Sequence, residues 1–152
     1  MALTAGDLVF LDTNILLTAT DSSRENHRVA KVVFSKSLDM GIHLCFSGQI
    51  IREYLVVATR DISQNGLGMS PDHAVSNIQQ FKARMTFFEE IEEVSENLAA
   101  LVSTYQLRGK RIHDANLVAL MKTHGIRVLL TENTADFAVF TEIGTLTLPE
   151  FK

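Results

Sequence analysis

A short apolar run that ends in polar residues, LVFLDTN at residues 8–14, decides the fold class of this chain. Four consecutive apolar residues are too few for a helix and lack the alternation of a strand with one wet face. Residues 8–11 therefore predict a strand buried on both faces. Asp12, Thr13 and Asn14 are residue types that begin helices. A buried strand followed at once by a helix start is typical of a parallel sheet covered by helices.

Units of the same kind recur along the chain, each pairing a short apolar run with a longer stretch of helical period. This alternation predicts consecutive β-α-β units, which form a parallel sheet with helices on both faces. Ligands in such sheets bind beyond the carboxyl ends of the strands, where the strand order reverses. The further strands are predicted at residues 42–46, 86–91, 128–130 and 145–148, and the helices at about 30–40, 47–59, 70–85, 95–105 and 113–124.

The size and charge of the chain limit the class of protein. Its 152 residues, 46% hydrophobic and 21% charged, predict a single ordered domain over residues 1–152. No apolar run is long enough for a membrane span, and residues 1–7 lack the pattern of a leader. The one cysteine, Cys45, is expected to fill the core, which suits a reducing cytoplasm. A net charge of −4 argues against a broad positive surface for nucleic acid and favours a narrow substrate.

Three acidic residues stand at positions that favour a functional role. Asp12 directly follows the first strand and is expected at its carboxyl end, although a helix cap would suit the same position. Glu53 shares a helix face with Ile50 and Val57, where a carboxylate is unfavourable unless it is paired, bound to a metal or left in water at the margin. Asp114 heads the apolar stripe of a later helix, where it too could be a cap.

A fourth polar cluster, TENTADF at residues 131–137, follows the predicted strand at 128–130. Asn and Asp are also common in turns, which is the alternative role for this cluster. Together the four positions are expected to converge on one crevice, where crowded carboxylates favour protonation unless a cation joins them. Oxygen donors favour Mg²⁺ or Mn²⁺ over zinc. Two such ions could clamp both oxygens of a phosphodiester displacement, and one ion is the alternative.

The same residues resemble the motifs of PIN-domain nucleases. The run FLDTNIL at residues 10–16 is similar to the opening motif, and Glu53 within IREY resembles the second acid. The segment HDANLVA at residues 113–119 resembles the helix that carries the third acid. LLTEN at residues 129–133, with Asp136 and Phe137, resembles the closing motif. The motifs stand in family order over a core of about residues 8–148.

The resemblance implies a three-layer α/β/α sandwich with a central parallel sheet of four or five strands. It also implies an endoribonuclease that uses Mg²⁺ or Mn²⁺ to cleave RNA through an activated water. Small members of the family are often the toxin of a VapBC-type toxin–antitoxin pair. A small antitoxin protein would then bind near the acidic crevice, and homodimers are common in the family.

Roles for individual residues follow from the resemblance. The expected catalytic metal ligands are Asp12, Glu53, Asp114 and Asp136. The residues expected to orient ligands or waters are Thr13, Asn14, Thr131 and Asn133. The residues expected to hold substrate phosphates are Arg108, Lys110 and Arg111, for which a solvated surface loop is the alternative role.

The closing motif departs from the family pattern at one position. Many members carry an Asp two residues after the Thr of this motif, and this chain has Asn133 there. Asp136 is expected to supply the charge instead, directly or through a water, and Asn133 is the other candidate to complete the site. Loss of a fourth anion would weaken a second metal site.

Other functions compete with a metal-dependent nuclease. A PIN-like module without activity would keep the fold and bind nucleic acid or protein, and the Asn133 departure favours it. A phosphatase of the haloacid-dehalogenase type needs a second Asp two residues after the first, where this chain has Asn14. A nucleotide-binding module is disfavoured further, because no glycine-rich loop follows the first strand.

Overall fold

The run at residues 8–11 forms the central strand of the sheet, as its unbroken apolarity predicts. The computed structural model describes residues 2–151, in which Val9, Phe10 and Leu11 are fully buried. The strands are β1 (Leu8–Leu11), β2 (His43–Ser47), β3 (Thr86–Phe88), β4 (Val128–Leu130) and β5 (Gly144–Leu146). They form one sheet in the order β3-β2-β1-β4-β5, with every neighbouring pair parallel, which confirms the α/β class.

The strand order reverses at β1, and this reversal creates a crevice at one end of the sheet. From β1 the chain builds β2 and β3 on one side and later β4 and β5 on the other. Phe10 pairs with Cys45 of β2 and with Leu129 of β4. One residue beyond β1, the Asp12 amide donates to the Leu130 carbonyl at 3.0 Å. Because the connections leave in opposite directions, the carboxyl ends of β1 and β4 border an open crevice.

Seven α-helices within residues 2–151 complete the fold. They are α1 (Thr13–Thr20), α2 (His27–Met40), α3 (Gly48–Thr59), α4 (Pro71–Lys82), α5 (Glu92–Tyr105), α6 (Arg111–Thr123) and α7 (Thr134–Phe137). The first four form one group, because α1 contacts α2 and α3, and α3 contacts α4. Helices α5 and α6 pair with each other. This grouping agrees with the expected α/β/α sandwich. No helix in the described part of the chain is long and apolar enough to cross a membrane.

Local signals at the helix ends are confirmed where the residue type alone decides the geometry. The Ser70 hydroxyl accepts a hydrogen bond from the His73 amide at 3.2 Å, and Pro71 is the first residue of α4. Gly41 ends α2 in the left-handed conformation with φ of 71°, which costs a glycine little. Cys45 is buried, and burial raises the pKa of its thiol to about 12, so it is a core residue and not a reactive thiol.

The helix α1 is the main element that the sequence pattern does not predict. Residues 13–20 follow the predicted helix start, but the pattern assigns them no helix of their own. Five of these eight residues are buried, including Thr13 and Thr18. A helix that is buried on most sides shows no polar stripe, so its period is hard to detect in the sequence.

Several predicted boundaries are also wrong: α2 begins at His27 instead of residue 30, α4 ends at Lys82 instead of residue 85, and β5 ends at Leu146 instead of residue 148. β3 ends at Phe88, whereas the prediction extends it to residue 91. The helix α5 begins at Glu92 instead of behind a cap at Ser95, since Glu92 and Glu93 already suit the positive end of a helix. The helix α6 begins at Arg111, so the last part of the predicted basic loop is helical.

Candidate metal centre

Asp12 lies in the crevice between the ends of β1 and β4. It caps α1, because its Oδ1 accepts a hydrogen bond from the Thr13 amide at 2.7 Å. Its Oδ2 accepts from the Thr131 hydroxyl at 2.8 Å and from the Asn14 side-chain amide at 3.2 Å. The residue is only 9% exposed. Asp12 is therefore both the helix cap and a fixed carboxylate in the crevice, so these two interpretations do not exclude each other.

The surroundings of Asp12 disfavour its charged form. Burial is the main cause that raises the pKa of Asp12 from 3.8 to about 6, and the negative charges of Glu53 and Asp114 raise it further. Hydrogen bonds from Thr131 and Thr13 act in the opposite direction and do not compensate. The three acids are far apart in the chain, but in the folded protein they are close enough for their charges to repel one another. A cation among them would remove this repulsion.

Glu53 approaches the same crevice from α3. Its Oε2 accepts a hydrogen bond from the Thr13 hydroxyl at 2.7 Å, and its Oε1 accepts from the Gln49 side-chain amide at 2.9 Å. Thr13 thus bonds to Asp12 through its amide and to Glu53 through its hydroxyl. Ile50 on the same helix is fully buried while Glu53 is half-buried. The carboxylate therefore lies at the margin of the apolar face with both oxygens bonded.

Asp114 enters the crevice from the first turn of α6. Burial and the negative charges of Asp136 and Glu53 raise its pKa, while the positive charges of Arg111 and His113 lower it. The Arg111 Nε lies 3.7 Å from the Asp114 Oδ2, a distance typical of an ion pair and too long for a hydrogen bond. Asp114 is thus coupled to the other acids but currently paired with a cation of its own helix.

The closing motif contributes one buried hydroxyl and one exposed acid. Thr131 is fully buried, and besides donating to Asp12 its hydroxyl accepts a hydrogen bond from the Asn133 amide at 3.0 Å. Asp136 is exposed in α7, where its charge acts on Asp114. Asn133 is exposed as well, at the start of α7. Because its charge raises the pKa of Asp114, Asp136 lies on the Asp114 side of the crevice.

Asn14 joins the first and closing motifs. Its side-chain amide donates to the Thr131 hydroxyl at 3.3 Å as well as to Asp12, and its Oδ1 accepts from the Glu132 amide at 3.2 Å. The Glu132 carboxylate accepts hydrogen bonds from Thr18 at 2.8 Å and from Asn26 at 3.3 Å. Glu132 therefore binds α1 and the segment that joins α1 to α2, while Asn14 and Thr131 hold Asp12.

The three expected phosphate-binding cations do not act as a group. Arg108 and Lys110 are exposed, and Arg108 lines a surface groove beside α5. Arg111 instead reaches the crevice, where its Nη2 donates to the Asp136 carbonyl oxygen at 2.8 Å. Within residues 2–151, Arg111 is the one cation of the three that forms a hydrogen bond or an ion pair with an acidic residue of the crevice.

Gln49 and Asn116 contact the acidic residues but were not singled out from the sequence. Gln49 is 8% exposed and bonds to Glu53, to the His113 carbonyl oxygen at 2.9 Å and to the Asn116 side chain at 2.8 Å. Two signals were present in the sequence: Gln49 stands four residues before Glu53, on the same helix face, and Asn116 lies two residues after Asp114. Neither signal distinguishes a site residue from a surface amide without the tertiary structure.

The donor chemistry fits a hard divalent cation, because the side chains that converge are carboxylates supported by hydroxyl and amide groups. Their present spacing does not form a complete ligand set. Within residues 2–151, no three His, Cys, Asp or Glu side chains are close enough to hold one metal ion. Glu53 is bonded to Thr13 and Gln49, and Asp114 is paired with Arg111. Movement of Asp114 away from Arg111 would have to accompany metal binding, whereas both bonded oxygens of Glu53 keep a free lone pair.

Similar solved structures share this fold at low sequence identity. The chain resembles VapBC2 from Rickettsia felis, described as bound to a DNA fragment from the promoter of its genes, with a TM-score of 0.69 and 12% identity over 92% of this chain and 98% of that one. For VapBC-1 from nontypeable Haemophilus influenzae the TM-score is 0.69 and the identity is 14%, over 93% of this chain and 98% of that one. VapC20 from Mycobacterium tuberculosis is described as a toxin that cleaves the sarcin–ricin loop. Its TM-score is 0.65 and its identity is 16%, over 89% of this chain and 98% of that one.

A comparison with family models agrees with the fold. A search of the curated proteins found no match. The model of the PIN domain matches residues 9–142, which include all four acidic positions of the candidate centre. Since that match covers most of the sequence, this chain belongs to the PIN domain family.

Proposed function

We propose that this protein is a divalent-metal-dependent endoribonuclease and the toxin component of a toxin–antitoxin pair. The observation that carries the proposal is the electrostatic coupling of Asp12, which follows β1, with Glu53 of α3 and Asp114 of α6. Burial and like charge oppose the ionised form of Asp12, and a bound cation would offset both effects. A site for a cation thus explains an arrangement that is otherwise unfavourable.

The proposed ligands are Asp12, Glu53, Asp114 and Asp136, and the residues around them have distinct roles. Thr131 and Asn14 fix the orientation of the Asp12 carboxylate. Thr13 sets the separation of Asp12 and Glu53, because it bonds to both. Mg²⁺ or Mn²⁺ would supply the positive charge that activates a water for attack on a phosphodiester and stabilises the charge that develops there. Asn133 remains the alternative to Asp136.

RNA is the proposed substrate, supported by membership of the PIN domain family and by the fold shared with a toxin described as cleaving the sarcin–ricin loop. Arg111 would release Asp114 and contact a substrate phosphate when the metal is bound, because a cation in the crevice competes with it for the carboxylate. Arg108 and Lys110 are exposed nearby in sequence and would contribute weaker phosphate contacts. The net charge of −4 favours recognition of a limited RNA site.

A small antitoxin is the proposed protein partner, and a homodimer the proposed assembly. Structures with this fold include complexes described as VapBC and as FitAB bound to DNA. An antitoxin that covers the crevice would block access to the acidic residues. Co-expression with the product of an adjacent short reading frame, followed by size-exclusion chromatography with light scattering, tests both proposals. Failure of the two proteins to co-elute would rule out the proposed antitoxin. A measured mass equal to that of one chain would rule out the proposed homodimer.

The proposed activity is tested with purified protein and a varied set of RNAs. Cleavage is expected with Mn²⁺ or Mg²⁺, loss of cleavage with a chelator, and recovery when the metal is restored. Asp12→Asn is expected to reduce the rate by more than about a hundredfold, since loss of a group that merely supports a metal ligand already costs about 10–100-fold. Circular dichroism would verify that the variant is folded.

The matched control is Asp61→Asn, which changes an exposed acid outside the crevice and keeps a side-chain oxygen that can accept from Ser63. It is expected to leave the rate unchanged. Intact RNA in the presence of Mn²⁺, together with retained RNA binding, would favour the inactive PIN-like module. Two observations support that second candidate: Asn133 stands where many members have Asp, and Asp114 is paired with Arg111.

A further inference from the structure

A chain of side-chain amides connects the candidate metal centre to the other helix layer. Asn116 on α6 donates one N–H to Glu90 and the other to the Gln49 Oε1 at 2.8 Å. Gln49 on α3 in turn donates to the Glu53 Oε1 at 2.9 Å and to the His113 carbonyl oxygen at 2.9 Å. The bonds thus run from Glu90, an exposed acid, through two amides to Glu53 in the crevice.

The donor inventory fixes the orientation of both amides. A primary amide has two N–H donors, and each of the two side chains uses both on oxygen acceptors. A flipped Gln49 would place its own oxygen against the Glu53 carboxylate and the His113 carbonyl, which repel it. A flipped Asn116 would place its oxygen against the Gln49 oxygen and the Glu90 carboxylate. Each amide therefore has one stable orientation, and the order of donors points toward Glu53.

The effect on Glu53 follows from its two bonds. The Thr13 hydroxyl holds one carboxylate oxygen at 2.7 Å and Gln49 holds the other. A glutamate side chain that is half-buried on one helix otherwise retains several rotamers, which must be lost when it binds a ligand. Each carboxylate oxygen still has a lone pair free for a metal after accepting one hydrogen bond. Gln49 thus orients Glu53 without blocking it.

The same amide ties α3 to α6 at the base of the third acid. His113, whose carbonyl accepts from Gln49, immediately precedes Asp114. Asn116 follows Asp114 by two residues on the same helix. Gln49 is 8% exposed, and loss of its amide would break three hydrogen bonds in a partly buried region. One side chain therefore positions Glu53 directly and the start of α6 through its backbone.

We propose that Gln49 and Asn116 are positioning residues that hold Glu53 toward the crevice and raise its affinity for a divalent cation. This inference rests on the proposed metal-dependent function and deepens it. Neither residue is a ligand, because both present N–H groups to the acids. Groups that orient metal ligands typically change metal affinity by about 10–100-fold when removed.

The experiment measures Mn²⁺ binding directly, by the loss of the free-ion electron paramagnetic resonance signal during titration of the purified protein without RNA. Gln49→Met keeps the length of the side chain and removes both donors. It is expected to weaken Mn²⁺ binding by about 10–100-fold. Asn116→Ala is expected to weaken it less, since Gln49 keeps its own bonds to Glu53 and His113. The double variant is expected to resemble Gln49→Met, because Asn116 acts through Gln49.

The control is Asn77→Ala. Asn77 is half-buried like Asn116, and its side-chain amide donates to the hydroxyl of Tyr54 on α3 at 3.0 Å. The variant therefore breaks an amide bond onto the same helix without touching the chain to Glu53. It is expected to lower the melting temperature of the metal-free protein and to leave Mn²⁺ affinity unchanged.

The possible outcomes separate the inference from the proposed function. If wild-type protein does not bind Mn²⁺, the proposed metal centre is wrong and the inference falls with it. If wild-type binds and Gln49→Met binds equally well, only the inference is wrong, and the amides serve helix packing alone. If Gln49→Met does not fold, Asn116→Ala decides, and unchanged affinity in that variant also overturns the inference. Equal losses in Asn116→Ala and Asn77→Ala would have the same meaning.

Discussion

The acids of the crevice and the acids of the surface turns have similar hydrogen bonds but opposite pKa shifts. In the turns, Ser23 donates to Asp21 through its amide at 3.0 Å and its hydroxyl at 2.6 Å, and Ser63 donates to Asp61 in the same way. These bonds lower the pKa of both acids. Asp12 also accepts an amide and a hydroxyl hydrogen bond, yet its pKa rises to about 6.

The difference lies in what surrounds each carboxylate. Asp61 is exposed and Asp21 has the cation of Arg24 at 3.5 Å, whereas Asp12 is buried near Glu53 and Asp114. A turn stabilises its acid with its own backbone, which any solvated loop can do. The crevice holds an acid that its hydrogen bonds alone do not stabilise in the charged form. A raised pKa together with like-charged neighbours is therefore the feature that distinguishes the proposed ligand Asp12 from the acids of the turns.

The largest expected effect is a dependence of stability on pH in the metal-free protein. Because the pKa of Asp12 is about 6 in the folded protein and its ordinary value is 3.8, the folded protein binds the proton more tightly than the unfolded chain. The contribution of Asp12 to the free energy of unfolding is therefore greatest below about pH 4 and is lost as pH rises through about 6. The shift corresponds to at most about 3 kcal/mol.

Urea denaturation in a chelating buffer at several pH values between 4.5 and 7.5 measures this dependence. Asp114, whose pKa is also raised, contributes with the same sign. The decline is expected to shrink when Mn²⁺ is added, because the cation stabilises the ionised acids. A free energy of unfolding that rises steadily across this range without metal would show that the crevice acids behave like those of the turns.

The next effect concerns the hydroxyl that supports Asp12. Thr131→Val keeps the shape of a fully buried side chain but removes the donor to Asp12 and the acceptor for the Asn133 amide. The free energy of unfolding is expected to fall by about 1–3 kcal/mol, the usual cost of buried groups that lose a partner. The pKa of Asp12 is expected to rise further, since the Thr131 bond lowers it in the wild type.

The control for this change is Thr59→Val, which removes an exposed hydroxyl that bonds within α3 to the Leu55 carbonyl oxygen at 2.6 Å. A surface change of this kind is expected to alter stability by less than about 0.5 kcal/mol. Urea denaturation at pH 7 compares the two variants. Similar losses in both would mean that the buried position of Thr131 adds nothing to its hydrogen bond.

The smallest effect is expected in the turns themselves. Asp61→Ala removes the acceptor for Ser63 in an exposed loop and should lower the melting temperature slightly at pH 7. Because the folded-state pKa of Asp61 is lowered, its contribution is present above the unfolded value of 3.8 and disappears as pH falls through the folded value. Thermal unfolding of the wild type and the variant at pH 7 and pH 3 measures this contribution. Its dependence on pH is expected to be opposite to that of the Asp12 contribution. A larger difference at pH 3 would contradict the account of the turns.

Elements with a strong local pattern could be predicted from the sequence. The buried strand at residues 8–11, the cap and proline at Ser70 and Pro71, and the stop at Gly41 follow from residue types that act over a few positions. The helix α1 and the start of α5 at Glu92 were harder. Burial on most sides hides the period of α1, and more than one residue could have begun α5.

The candidate site divides in the same way. The four acids and the residues beside them stand in motifs with a fixed order in the chain, so their identity could be predicted together with the PIN family. The direction of Arg111 toward Asp136 and the amide chain from Asn116 to Glu53 could not. Those contacts join segments whose separation in the sequence carries no information about distance.

The sequence alone determined the class of fold, the position of Asp12 at the end of a buried strand and the identity of the acids proposed as ligands. These follow from periodicity, capping and residue chemistry, which are local properties. Only the tertiary structure decided which acids repel one another, which cation pairs with Asp114 and which amides bond to Glu53. Charge coupling and desolvation depend on distances through space and on the water that is excluded, and the packing of helices on the sheet sets both.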